Sequence, residues 1–119
     1  MKTEAFKVFS DRRGDLIPIE FDKIPFVPKR CFVIDNVNAG EVRGKHRHKE
    51  CLQYLICTNG KVQVKLRQET TLYYGKFILK KGESVFIGKM WNELTFLEGD
   101  SRVLVLCSHP YDPDDYIED

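Results

Sequence analysis

Residues 40–67 read GEVRGKHRHKECLQYLICTNGKVQVKLR, and they decide the fold. Residues 61–67 alternate strictly, with Val62, Val64 and Leu66 on one side and Lys61, Gln63, Lys65 and Arg67 on the other, which is the period of a half-buried strand. The run CLQYLIC before it is apolar enough for a buried strand. Asn59-Gly60 between the two offers the positive φ angles of a tight turn, so a β-hairpin is expected here. Upstream, His46 and His48 are two apart, and on an extended strand such residues face the same way, roughly 6–7 Å apart. Arg43, Lys45, Arg47 and Lys49 have the opposite parity, so a regular strand turns these cations away from the imidazoles. Arg43 joins the histidines only if the backbone kinks or bulges at Gly44.

Strand-like segments continue in both directions. AFKVF (5–9) and LIPIEF (16–21) flank the turn SDRRGD and are expected to form an N-terminal hairpin, with Pro18 suited to an edge. Pro25 and Pro28 then hold DKIPFVPKR extended or irregular, CFVID (31–35) is a short strand, and NVNAGEVRG (36–44) reads as a loop. Further strands are expected over 70–79, 84–88, 90–97 and 102–108, with turns at KKGE and EGDS. The acidic tail HPYDPDDYIED reads as a last helical turn or a surface segment. Short strands recur about every ten residues with no sustained helical period, the signature of an all-β antiparallel sandwich or small barrel. A chain of 119 residues is expected to form a single domain over 1–119.

Composition narrows the partners. Net charge near +1 argues against a nucleic-acid surface, and no apolar run approaches the roughly 20 residues that span a bilayer. The start MKTEAFKVFSDRRGD lacks the apolar core and cleavage pattern of a signal peptide, so the cytosol is the expected compartment. Cys31, Cys51, Cys57 and Cys107 show no CxxC pair or zinc-ribbon spacing and read as buried free thiols rather than disulfides.

Written as spacing, the opening stretch is Gly40-x5-His46-x-His48-x4-Gln53-x6-Gly60. This resembles the first motif of the cupin superfamily, with Gln53 where metal-binding cupins carry Glu; the resemblance implies a jelly-roll sandwich. In GKMWNEL, Asn92 stands at the place of the third cupin histidine. Two imidazoles with two neutral amides make a poor site for a first-row metal, so no metal and no cofactor are expected. What remains is a pair of groups that titrate near neutral pH, suited to acid–base work.

The succession SDRRGDLIPIE, IPFVPKR, RGKHRHKECLQYLICTNGKVQV, WNEL and SHPYDPDDYIED, covering nearly the whole chain in order, resembles the sugar 3,4-ketoisomerases. The resemblance implies metal-free isomerisation of dTDP-4-keto-6-deoxyglucose, in the biosynthesis of deoxy and amino sugars such as those of lipopolysaccharide O-antigens. It implies His46 as the base at C3 and His48 as proton relay, with the order of the two roles open, and a homodimer paired through N-terminal strands. Developing charge on the enediolate oxygen needs a donor, for which Gln53 or Arg43 is available. Arg43 also suits a sugar or diphosphate contact, although a solvated cation is the plainer reading. Asn92 inherits whatever the third histidine did, and Trp91 reads either as a platform for the thymine base or as a core residue. Tyr73, Tyr74, Tyr111 and Tyr116 are equally ambiguous, and the tail motif YDPDDYI reads as structural. Two departures stand out: Cys31, Phe32, Val33 and Ile34 occupy the strand that carries tyrosines in that family, and Lys45 and Arg47 make the histidine stretch more polar. The rival expectations are a nucleotide-sugar epimerase using the same α-proton chemistry and a non-catalytic cupin that binds a sugar nucleotide.

Overall fold

The computed structural model describes residues 3–68 and 72–118, without the side chains of Leu72 and Tyr73. The beginning of the strand expected at Thr70 and Thr71, and the role of the Tyr73 ring, therefore lie outside the described residues. In chain order the strands are β1 (Glu4–Ala5), β2 (Phe9–Asp11), β3 (Gly14–Leu16), β4 (Arg30–Ile34), β5 (Val42–His48), β6 (Gln53–Asn59), β7 (Lys61–Gln68), β8 (Leu72–Lys80), β9 (Glu83–Gly88), β10 (Trp91–Phe96), β11 (Arg102–Cys107) and β12 (Tyr116–Ile117). Single 3-10 turns occupy Phe21–Lys23 and Pro113–Asp115. Two five-stranded antiparallel sheets, of order β1-β9-β6-β11-β4 and β12-β5-β10-β7-β8, form the expected sandwich, and β2–β3 is a separate hairpin.

Asn59-Gly60 does not close a hairpin. β6 pairs with β9 and β11, whereas β7 pairs with β8 and β10, so the chain crosses from one sheet to the other at Gly60. The cause is local. A Cβ at Gly60, whose φ is +76°, would stand 2.3 Å from Ser101 Oγ and 2.7 Å from its Cα. The Ser101 hydroxyl donates to the Glu98 carbonyl at 2.7 Å and accepts from the Lys61 amide at 3.0 Å, and the Asn59 side chain donates to the Asp100 carbonyl at 2.8 Å. These bonds stitch the corner to the 98–101 turn, and only glycine leaves room for it.

Inner-facing residues of both sheets build the core, with Leu55, Val62, Val64, Leu66, Leu79, Phe96 and Val103 essentially inaccessible. Burying a side chain such as Phe96 contributes on the order of 1.5–3 kcal/mol. A second cluster lies on the outer face of the first sheet, where Phe6 and Ile24, flanked by Ile17, Ile19 and Phe26, cover Tyr54, Ile56 and Leu106. CLQYLIC is apolar on both parities because β6 is covered on both faces.

The N-terminal hairpin forms, but its strands run into the expected turn SDRRGD and are shorter than AFKVF and LIPIEF. Phe9 pairs with Leu16 and Asp11 with Gly14, because Arg13 folds back on Asp11 (N to Oδ1, 2.8 Å) and closes the turn early. Ala5 instead pairs with Glu83 at the edge of the first sheet. Lys81 forms an ion pair with Asp15, tying the hairpin to the β8–β9 turn. The loop expected to reach Gly44 ends earlier, since β5 begins at Val42. The tail is neither a free surface segment nor only a helical turn. Asp112 accepts the Asp114 amide at 2.9 Å to cap the 3-10 turn, and Tyr116 and Ile117 then pair with His48 and Arg47.

Candidate active site

The site begins with a fault in β5. Asn92 pairs with His46 but Glu93 pairs with Gly44, so Lys45 is an extra residue, and Gly44 (φ +93°) and Lys45 (φ +64°) both take left-handed conformations. This bulge resets the parity of the strand. Arg43 lies opposite Leu94 and His46 opposite Asn92, and residues directly opposite one another share a face, so Arg43 and His46 both turn inward. Replacing Gly44 by alanine is therefore expected to lower stability by about 1–3 kcal/mol, read from urea midpoints. The new Cβ would stand 3.0 Å from both Asn92 oxygens in a conformation that L-residues resist.

Arg43, His46, Gln53 and Asn92 line one cavity of about 400 Å³ between the sheets, together with Arg30, Phe32, Leu94, Val105 and Tyr116 among others. The structure thus brings together four of the six residues singled out from the sequence. His48 sits directly behind: its ring meets that of His46 edge-on at 5.3 Å, and Tyr116 packs against both, at 5.0 Å from His46 and 4.5 Å from His48. Trp91 does not belong to the cavity lining. Alternation along β10 turns it to the opposite face from Asn92, where the Arg67 guanidinium covers its buried ring at 3.8 Å. Lys45, Arg47 and Lys49 are likewise absent from the lining.

His48 is 4 % exposed, and its Nδ1 lies 2.8 Å from Asp115 Oδ2. Asp115 also accepts the amides of Glu50, at 2.7 Å, and of Cys51, at 3.3 Å. Burial alone would raise its carboxyl; the bond from His48 and the two amides outweigh that and hold it below the ordinary carboxylate range. An ionised carboxylate only accepts, so Nδ1 carries the proton, and in the neutral ring the lone pair is left on Nε2. That Nε2 is buried without a hydrogen-bond partner. His46 is pushed below the usual imidazole range by burial first and by the neighbouring His48 second, which leaves it a free base at neutral pH.

The two amides have different duties. Asn92 Nδ2 donates to the His46 carbonyl at 3.4 Å and so secures the bulge, while buried Gln53 meets only the Cys107 sulfur, at 3.8 Å, and can turn its amide to a ligand. Burial pushes the Cys57 and Cys107 thiols up to about 11, in keeping with inert free cysteines. Cys51 is buried as well, but Cys31 is exposed, because it sits on the outer side of the edge strand β4.

A cupin-type metal would draw on His46, His48, Gln53 and Asn92. This donor set does not fit one: the cavity lining contains no carboxylate, and both its charged residues are arginines. The same charges favour an anion.

Asp115 and Arg30 were not singled out from the sequence, and Tyr116 was left ambiguous among the tyrosines. Arg30 stacks over Phe32 and Tyr111, at 4.9 and 5.2 Å, and adds the second cation to the lining. The only trace of Asp115 in the sequence was the tail motif DPDDYI, which read as structural. No helix among the described residues is long and apolar enough to cross a membrane.

Comparison with known proteins identifies the family. The chain is 39 % identical over 122 residues to a TDP-4-oxo-6-deoxy-alpha-D-glucose-3,4-oxoisomerase of Aneurinibacillus thermoaerophilus, covering 98 % of this chain and 84 % of the relative. Among solved structures, a 3,4-ketoisomerase from Helicobacter canadensis superposes with a TM-score of 0.84 at 35 % identity, over 99 % of this chain and 90 % of that one. The 3,4-ketoisomerase QdtA from Thermoanaerobacterium thermosaccharolyticum, in complex with TDP, gives 0.84 at 35 %, over 99 % and 87 %. The family model described as FdtA, WxcM-like, C-terminal, matches residues 1–119, and with relatives this similar along almost its full length the chain belongs to that family.

Proposed function

We propose that this chain, working as one domain in the cytosol, is a 3,4-ketoisomerase of a TDP-linked 4-keto-6-deoxyhexose, with His46 as the base at C3. The observation that carries the reading is a neutral imidazole facing a cavity whose charged lining consists of Arg30 and Arg43. A nucleotide sugar brings the diphosphate that such cations attract and the acidic C–H that such a base removes. In the first step His46 takes the C3 proton, the C3–H electron pair becomes the C3=C4 bond, and the carbonyl electrons move onto O4. Gln53 and Arg43 donate to that oxygen as charge develops, and O4 takes up a proton. In the return step O3 loses its proton and becomes the carbonyl, while C4 gains one. His48, held by Asp115 and in contact with the His46 ring, relays protons between these positions.

Incubation with TDP-4-keto-6-deoxyglucose in deuterated water tests the reading, and a 3-keto product labelled at C4 is expected. Label at C5 would instead identify an epimerase, and binding without exchange at any carbon would identify a non-catalytic sugar-nucleotide module.

The same proposal includes a homodimer. The β2–β3 hairpin leaves Phe9 and Leu16, cross-strand partners, 49 % and 61 % exposed, an apolar pair suited to a second copy. Leu16→Glu is expected to shift the protein from dimer to monomer in sedimentation velocity. An unchanged dimer would remove the hairpin from the interface.

A further inference from the structure

Outside the cavity lining, a different donor set converges on His48. His48, Cys51 and Asp115 are all buried, and one ligating atom from each lies within 4.8 Å of the others. We propose that these three side chains form a binding site for one borderline-soft divalent cation, Zn²⁺ being the best match. Occupancy would reversibly switch the enzyme off.

The chemistry differs from that of the cavity in the respect that matters. One imidazole, one thiolate and one carboxylate are an ordinary zinc ligand set, and the two anions cancel the charge of a dication, so the loaded site is neutral where burial makes net charge costly. Zinc bonds of ~2.0–2.3 Å place tetrahedral ligand atoms ~3.3–3.8 Å apart. The observed cluster reaches that spacing by side-chain adjustment alone: the Nδ1–Oδ2 separation of 2.8 Å opens as the proton it holds is replaced by the ion, and Sγ moves in. The outer contacts are already in place. Asp115 keeps its bond from the Glu50 amide at 2.7 Å, and the Cys51 sulfur at present donates to the Leu52 carbonyl at 3.5 Å, a weak bond that costs little to give up, with the Cys107 thiol as a further neighbour. Cys51 and Asp115 are brought together because the Cys51 amide itself bonds to Asp115 Oδ2.

Filling this site takes the Nδ1 position of His48 that Asp115 now holds, which removes His48 from proton relay. That consequence rests on the isomerase reading; the site itself does not.

Cobalt(II) serves as the spectroscopic stand-in for zinc. Titrating the reduced protein is expected to give a thiolate-to-cobalt charge-transfer band in the near ultraviolet that saturates at one equivalent and is displaced by Zn²⁺. Cys51→Ser is expected to abolish the band, and Cys31→Ser, at the exposed thiol, to leave it unchanged. No band, a band that survives Cys51→Ser, or one lost with Cys31→Ser would overturn the site. X-ray absorption of the zinc-loaded wild type avoids dependence on any variant: one sulfur with two or three nitrogen or oxygen neighbours is expected, and a shell without sulfur overturns the assignment. Turnover is read separately. Zinc is expected to inhibit the wild type at least tenfold more strongly than Cys51→Ser, whose metal-free activity should match wild type. Unchanged turnover in wild type that shows the band would overturn the inhibitory role alone, and the deuterium label at C4 reports on the isomerase reading independently of either result.

Discussion

His46→Asn is expected to lower kcat by about 10³-fold, because positioned general-base catalysis is typically worth 10²–10⁴. Deuterium incorporation at C4 should vanish with it, while TDP affinity stays within a few-fold of wild type. Asparagine keeps a similar volume and a polar head but has no basic nitrogen, so the change removes the base and little else. His46 is the imidazole that lines the cavity, and burial and His48 keep it neutral and ready to accept a proton. The cations that would hold the diphosphate, Arg30 and Arg43, sit on other strands or across the bulge and do not depend on the imidazole for their position. Single-turnover assays, with calorimetry on TDP, separate the two effects. A loss in kcat smaller than tenfold would move the base to another residue, and a parallel loss of TDP affinity would make His46 a binding residue instead.

What was legible in the sequence and what was not divide along one physical line. Alternation over Lys61–Gln68 and the repeated short strands report burial on one face, a property of neighbouring residues, and the β-sandwich followed from them. Strand pairing is a property of distant residues. Asn59-Gly60 has the composition of a hairpin turn, yet Ser101, forty-one residues further along, occupies the space beside Gly60 and makes it a crossing between sheets. Parity along β5 separated Arg43 from the histidines because that argument assumes unbroken pairing. Gly44 marked the place where it fails, but nothing in Lys45 announces a positive φ, and only pairing with β10 shows the extra residue. Asp115 was missed for the same reason. It reaches His48 across 67 positions, through a tail whose composition resembles any exposed acidic end. Trp91 illustrates the converse, since an aromatic beside a site residue in sequence is on the other face of a strand in space.

Asp115→Asn separates orientation from charge more cleanly than any change at His48 itself. The carboxylate accepts from the Glu50 and Cys51 amides and from His48 Nδ1. An asparagine has one oxygen for those three donors. With its oxygen toward the Glu50 amide, its NH₂ takes the place of Oδ2 and faces both the Cys51 amide and the imidazole, and Nδ1 must become the acceptor. The ring proton then moves to Nε2, the atom whose lone pair the wild type keeps free in the neutral ring. A relay with the wrong tautomer is expected to lower kcat by about 10²-fold or more, with KM nearly unchanged because Asp115 does not line the cavity. Stability should fall by about 1–3 kcal/mol for the weakened bonds. Stability alone cannot identify the role, since any loss at a buried carboxylate would produce it. The ¹⁵N shifts of the His48 ring can: a switch from the Nδ1–H to the Nε2–H form, accompanied by the fall in kcat, makes Asp115 the residue that sets the tautomer. A fall in stability with tautomer and kcat both intact would reduce it to a fastener for the C-terminal tail.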